Sequence, residues 1–108
     1  EGDWVRTLFI GRTEHAHSNG TIIQGGLQTT WMDHAMFRAV VARDPSLSVA
    51  SLEIKTSFLS RVAPGPNIVS ARCVKWGRQV VFLEAMIQDE KGRTLATASS
   101  SGMLVPAP

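Results

Sequence analysis

One stretch of this chain has the length and pattern of a long helix, and almost everything after it reads as β-strand. Residues 25–43 (GGLQTTWMDHAMFRAVVAR) contain no proline and run into Asp44-Pro45. A residue before proline is pushed out of the helical region, so the helix is expected to span about Gly25 to Arg43. Leu27, Trp31, Ala35 and Met36 recur at helical spacing, as do Met32, Ala39 and Val40. The coverage is wide and predicts burial around much of the circumference. Such a helix needs other elements to cover it, and the rest of the chain must supply them.

Those elements read as strands. Trp4 to Ile10 carries Val5, Leu8, Phe9 and Ile10 in weak alternation, and Gly11 to Gly20 is a polar loop rich in turn formers. After the helix, Leu47 to Val62 alternates through Leu52, Ile54, Thr56 and Phe58. Pro64-Gly65-Pro66 makes a turn. Asn67 to Trp76 places Ile68, Ser70, Arg72 and Val74 on one face and Val69, Ala71, Cys73 and Lys75 on the other. Gln79 to Gln88 sets Val81, Leu83, Ala85 and Ile87 on one side, Asp89 to Gly92 turns, and Arg93 to Val105 is the last strand. One strand, one long helix and an antiparallel meander make a single α+β domain over residues 1–108, without repeats or linkers.

Composition narrows the function. Eleven basic residues against nine acidic ones leave a net charge of +2, and no basic run tracks a phosphate backbone, so nucleic acid is not an expected partner. No apolar stretch is long enough to span a membrane, and nothing reads as a signal peptide. Cys73 is the sole cysteine, which excludes an internal disulfide and points to a reducing, cytoplasmic setting. The sequence opens at Glu1 without methionine, so preceding residues are expected to be missing.

Chemistry concentrates around the helix start. Gly25 and Gly26 allow another molecule to approach the backbone closely, and first-turn N–H groups have no partners inside a helix. Asp33 lies two turns on, among Trp31, Met32, Ala35 and Met36. A carboxylate in that company is either satisfied by hydroxyls such as Thr29 or Thr30, or engaged in chemistry. His15, His17 and His34 lack the spacing and companions of a metal site, and no metal is expected. His34 is expected at the surface or an interface, and Cys73 in the core.

The order Gln24-Gly25-Gly26, then Asp33, then the long meander resembles the hotdog-fold acyl-CoA thioesterases, most of all the phenylacetic-acid-degradation type. Members carry His-Gly-Gly at the start of the central helix and an Asp or Glu nine residues after the His, the spacing from Gln24 to Asp33 here. Ser51 to Leu59 (SLEIKTSFL) is similar to the family's second long strand. Lys75-Trp76-Gly77-Arg78 is similar to its inter-strand turn, and Asp89 to Ala96 to its last hairpin. The chain departs from the pattern in three places. Gln24 replaces the His, as in a minority of members. Ser18, with Asn19 beside it, stands where an Asn is usual. An N-terminal helix and first strand are expected to be absent from this sequence.

The resemblance implies a hotdog fold, an antiparallel sheet wrapped around one long central helix, in a homodimer or a tetramer built from dimers. It implies hydrolysis of an acyl-CoA to a free acid and coenzyme A, with no cofactor beyond the coenzyme A of the substrate and no metal. Asp33 would be nucleophile or general base, facing the Gly25 N–H of the other chain, which would polarise the thioester carbonyl. Gln24 would orient that carbonyl without carrying a proton. Ser18, Asn19, Gly26 and Ser51 would line the substrate site, and Arg61, Lys75 and Arg78 would hold the phosphates. The competing readings are a hotdog domain that binds acyl-CoA without turning it over, a dehydratase, which Gln24 disfavours, and a polyketide-type thioesterase acting on a carrier-protein thioester.

Overall fold

A computed structural model describes residues 4–17, 20 and 22–108. Strand β1 (Val5–Gly11) leads through a single 3₁₀ turn (Thr13–His15) to the two-residue strands β2 (Ala16–His17) and β3 (Ile22–Ile23). Helix α1 (Gly25–Arg43) follows, and then β4 (Leu47–Phe58), β5 (Gly65–Trp76), β6 (Val80–Gln88) and β7 (Thr94–Pro106). The five long strands form one antiparallel sheet in the order β1-β5-β6-β7-β4. The meander β5-β6-β7 is built from neighbours in sequence. Only β1 and β4, which flank the helix, travel to the two edges.

The helix lies on one face of this sheet. Met32, Ala35, Met36, Ala39 and Val40 pack against Val69, Ala71, Val81, Leu83, Ala85 and Ile87, all buried. Small residues line the sheet beneath the helix at Ala96 and Ala98, which lets the two layers approach. Phe9 of β1 stacks on Trp31 with ring centroids 5.3 Å apart, closing one flank. Burial is narrower than the apolar pattern predicts. Thr30, His34, Phe37 and Arg38 are exposed, because the sheet covers one side of the helix only.

Two β-bulges alter the faces expected from alternation. In β4, Ser51 pairs with Gly102 and Glu53 with Ser101, so Leu52 is the extra residue and is 58% exposed. Leu52 therefore does not continue the inward row of Ile54 and Thr56. Ile54 faces Ser100 and Ser51 faces Gly102, two residues apart on β7, so the bulge turns Ser51 to the helix side. Gly102 suits the position, since a Cβ there would run into Val49 Cγ2. In β5, Val74 is the extra residue between Cys73 and Lys75. Arg72 faces Glu84 and Lys75 faces Phe82, so Lys75 joins Arg72 on the face away from α1, not the row of Val69, Ala71 and Cys73. Cys73 is half-buried against the core.

Candidate functional site

The segment leading into α1 is tied down by its backbone. Ile23 N–H donates to the Val62 carbonyl at 2.7 Å and Gln24 N–H to the His15 carbonyl at 3.1 Å. The helix then starts without a side-chain cap: Gln24 occupies the capping position, is exposed, and makes no capping hydrogen bond. A Ser, Thr, Asp or Asn there would stabilise the helix by about 1 kcal/mol. The first-turn N–H groups at the positive end of the helix dipole stay open instead.

In front of them lies a cleft of about 350 Å³ whose walls include Gly25, Gln28, Ile22, Phe58, Leu59 and Arg61. Gly25 is placed by close approach. A Cβ on it would stand 2.9 Å from Phe58 Cζ, so the ring rests directly on the glycine backbone. Gly26 is exposed and faces open space. One turn into the helix, Thr29 Oγ1 donates to the Gly25 carbonyl at 3.1 Å and lies 3.1 Å from Thr56 Oγ1 of β4. With the Thr29 proton committed to the carbonyl, Thr56 is the donor between the two hydroxyls. The pair fixes the register of the first turn against the edge strand. Thr30 Oγ1 donates to the Gly26 carbonyl at 3.0 Å.

Neither threonine reaches Asp33. Its Oδ1 accepts a 2.8 Å hydrogen bond from Ser51 Oγ, the residue that the β4 bulge rotates toward the helix. Asp33 is half-buried, and its other oxygen has no hydrogen bond or ion pair among the described residues. A carboxylate held by one oxygen and free at the other is oriented but not neutralised. Eight residues separate Asp33 from Gly25 on one helix, which is about 12 Å along the axis. Within one chain the two cannot act on a single carbonyl group.

The remaining residues divide. Arg61 is exposed and borders the cleft. Lys75 and Arg78 lie at the other end of the sheet, by the end of α1, where Arg43 stacks over Trp76 at 4.6 Å. Ser18 and Asn19 fall outside the described residues. His34 is exposed and packs edge-on to Phe9 and beside Phe37. No group of His, Cys, Asp and Glu among the described residues has the geometry of a metal site. No helix among them is long and apolar enough to cross a membrane. Sequence reasoning passed over Gln28 and Thr56. Both sit in segments whose apolar neighbours dominate the pattern, and neither carries a motif.

Comparison with known proteins agrees with this architecture. The family model described as the thioesterase superfamily matches residues 20–96, which take in the helix start, Asp33, Ser51 and strands β4, β5 and β6. Among solved structures, a Haemophilus influenzae thioesterase superposes with a TM-score of 0.87 at 16% identity, covering 98% of this chain and 74% of its own. A phenylacetic acid degradation-related protein from Ralstonia eutropha JMP134 superposes with a TM-score of 0.84 at 23% identity, covering 94% and 76%. A Streptococcus mutans UA159 protein bound to acetyl CoA gives 0.84 at 17% identity, covering 98% and 84%. No curated protein matches the sequence. The family match extends over well over half of the chain, and the fold is that of these thioesterases; the chain belongs to the thioesterase superfamily.

Proposed function

We propose that two copies of this chain together hydrolyse an acyl-CoA thioester, each site combining the Gly25 N–H of one copy with Asp33 of the other. The observation that carries this reading is the separation on the helix. An uncapped N–H set and an oriented carboxylate stand about 12 Å apart in one chain, too far to share a substrate carbonyl unless a second helix lies alongside. Strand β4 supplies the means. It is a twelve-residue edge strand, and pairing it with its copy would satisfy its outer backbone groups and set the two helices side by side. The Streptococcus mutans relative bound to acetyl CoA supports a coenzyme A thioester as the ligand.

In this arrangement the thioester oxygen takes the Gly25 N–H, which stabilises the negative charge that grows on it. Deleting one such donor typically costs about 10²–10³ in turnover. Asp33, oriented by Ser51, acts on the carbonyl carbon as nucleophile or as general base for water. As nucleophile, Asp33 displaces the thiolate of coenzyme A to form a mixed anhydride, which water then opens to the free acid. As general base, it takes a proton from the water that attacks the carbonyl, and the thiolate leaves and is protonated. Gln24, exposed beside the helix mouth, orients the thioester without exchanging a proton. Gly26 leaves room for the substrate, and Arg61 meets the phosphates at the cleft rim. Lys75 and Arg78 enter through the partner chain. No metal or further cofactor takes part.

The test is thiol release from short, long and aromatic acyl-CoAs, followed by subunit mixing. Asp33→Asn lacks the carboxylate, and Gly25→Pro removes the N–H at a position where proline suits a helix, with Phe58→Ala in the same chain to clear the ring that a Cβ at residue 25 would meet. Each alone should be nearly inactive. Refolded together they should recover about a quarter of wild-type activity, since half the dimers are hybrids with one intact site of two. No recovery would place the site within one chain. Light scattering decides between a dimer and a tetramer. Release only from carrier-protein thioesters would change the substrate, and binding without release would make this a ligand-binding domain.

A further inference from the structure

Among the described residues, three buried side-chain polar atoms lack a hydrogen-bond partner: Thr7 Oγ1, Gln28 Oε1 and Ser70 Oγ. Of the three residues, Gln28 alone belongs to the cleft at the helix start. It is 4% exposed, and its Nε2 donates to the Ile23 carbonyl at 2.9 Å. That bond settles the orientation of the amide. A carbonyl only accepts, so the NH₂ group must face Ile23 and the amide oxygen must face elsewhere. Ile23 precedes the helix, so the side chain runs back along the first turn and ends level with the helix mouth. A buried acceptor without a donor is costly, and native structures keep few of them.

The cleft thus has a donor at Gly25, and Gln28 in its wall carries an enclosed, unpaired acceptor that a ligand group would satisfy. A thioester carbonyl uses the first and has nothing to give the second. The coenzyme A arm leaves toward exposed Arg61 at the rim, so the inner side of the cleft, with buried Ile23 and half-buried Ile22, receives the acyl group. Gly25 and Gln28 differ by about 5 Å of rise along the axis. The Gln28 side chain turns back over that rise toward Ile23, which brings its amide within reach of the first carbons beyond a carbonyl held at Gly25. We propose that Gln28 Oε1 accepts a hydrogen bond from a hydroxyl on the second or third acyl carbon, which makes 2- or 3-hydroxyacyl thioesters the preferred substrates. This rests on the thioester reading above. A site built to bond a hydroxyl rejects the analogue without it, because the protein acceptor is then left unpaired.

The experiment compares 2-hydroxybutyryl-, 3-hydroxybutyryl- and butyryl-CoA as substrates of wild type and of Gln28→Met. Wild type should favour a hydroxylated substrate by about tenfold or more in kcat/KM, the worth of one good hydrogen bond. In Gln28→Met the ratio should fall to about twofold or less, since thioether sulfur is a poor acceptor. Gln28→Leu serves if the methionine variant does not fold. Equal rates on all three in wild type, or a preference that survives both substitutions, overturns the proposal. Melting shifts induced by the same compounds, in an Asp33→Asn background, give a second readout. A hydroxyl-dependent shift that is lost when Gln28 is also replaced, without any turnover in wild type, sustains this inference and defeats hydrolysis. Turnover with no hydroxyl preference does the reverse.

Discussion

The two halves of α1 are built for different purposes. From Gln28 to Asp33 the polar side chains Gln28, Thr29, Thr30 and Asp33 all make hydrogen bonds, two of them to residues of β4. From Ala35 to Val40 the inward side chains are Ala35, Met36, Ala39 and Val40, held by apolar contact with the sheet. The second half can be dry because α/β packing needs only shape and volume. The first half carries groups that cost stability: an empty cap at Gln24, an unpaired amide oxygen at Gln28 and a partly buried carboxylate. The tight half anchors the helix so that the costly half can hold its geometry. On the proposed reading a single element serves as scaffold and as site, divided near Asp33.

Substitutions on the two sides of that boundary should separate activity from stability. Asp33→Asn has the largest expected effect, a loss of about 10²–10⁴ in turnover, the usual share of a positioned acid or base. Its melting temperature should stay close to wild type in thermal scans, because Asn retains the shape and an acceptor for Ser51. Gln24→Ala should lose less than Asp33→Asn in the same assay. Met36→Ala should do the opposite, destabilising the fold by about 2–5 kcal/mol through the cavity it opens. Denaturant titration measures that loss, and per folded molecule its rate should be unchanged. A Met36→Ala protein of wild-type stability would dissolve the distinction between the halves.

Smaller changes sharpen it. Ser51→Ala removes the hydrogen bond that orients Asp33 and should lower turnover about tenfold, as expected from losing one hydrogen bond to a charged group. Ser51 is exposed, so unfolding should barely shift. A rate loss equal to that of Asp33→Asn would mean that Ser51 itself touches the reacting atoms. The smallest expected effect lies far from both halves, in the β6–β7 hairpin. The Asp89 carboxyl is held below its ordinary 3.8, first by the Arg93 backbone N–H and also by the Arg93 side chain and the Lys91 N–H. Its folded value is the lower one, so its contribution is present above about pH 4 and fades as pH falls through the folded value. The melting difference between wild type and Asp89→Asn should be constant near neutrality and shrink in acid.

Much of this was legible in the residues because it is decided locally. Proline at 45 ends the helix at Arg43, the row Val81, Leu83, Ala85 and Ile87 marks the buried face of β6, and Asp89 to Gly92 turns the last hairpin. The family pattern singled out Gly25, Asp33 and Ser51 as candidates, and the tertiary structure joins the last two by a hydrogen bond between helix and edge strand. What alternation misjudged were the positions around Leu52 and Val74. A bulge adds one residue to one strand, and its location depends on the partner strand, here on Gly102 of β7 opposite Ser51.

The sequence by itself determined the elements, since helical periodicity, strand alternation and turn chemistry act between residues a few positions apart. Packing of the whole chain settles that β1 and β4 take the edges, that Ser51 turns inward to meet Asp33, and that Gln28 gives an amide hydrogen to Ile23 and is left with an unpaired oxygen. Each of these depends on which distant groups share a space. Hydrogen bonds are satisfied or left open by the whole packed arrangement, and no local pattern of residues encodes that outcome.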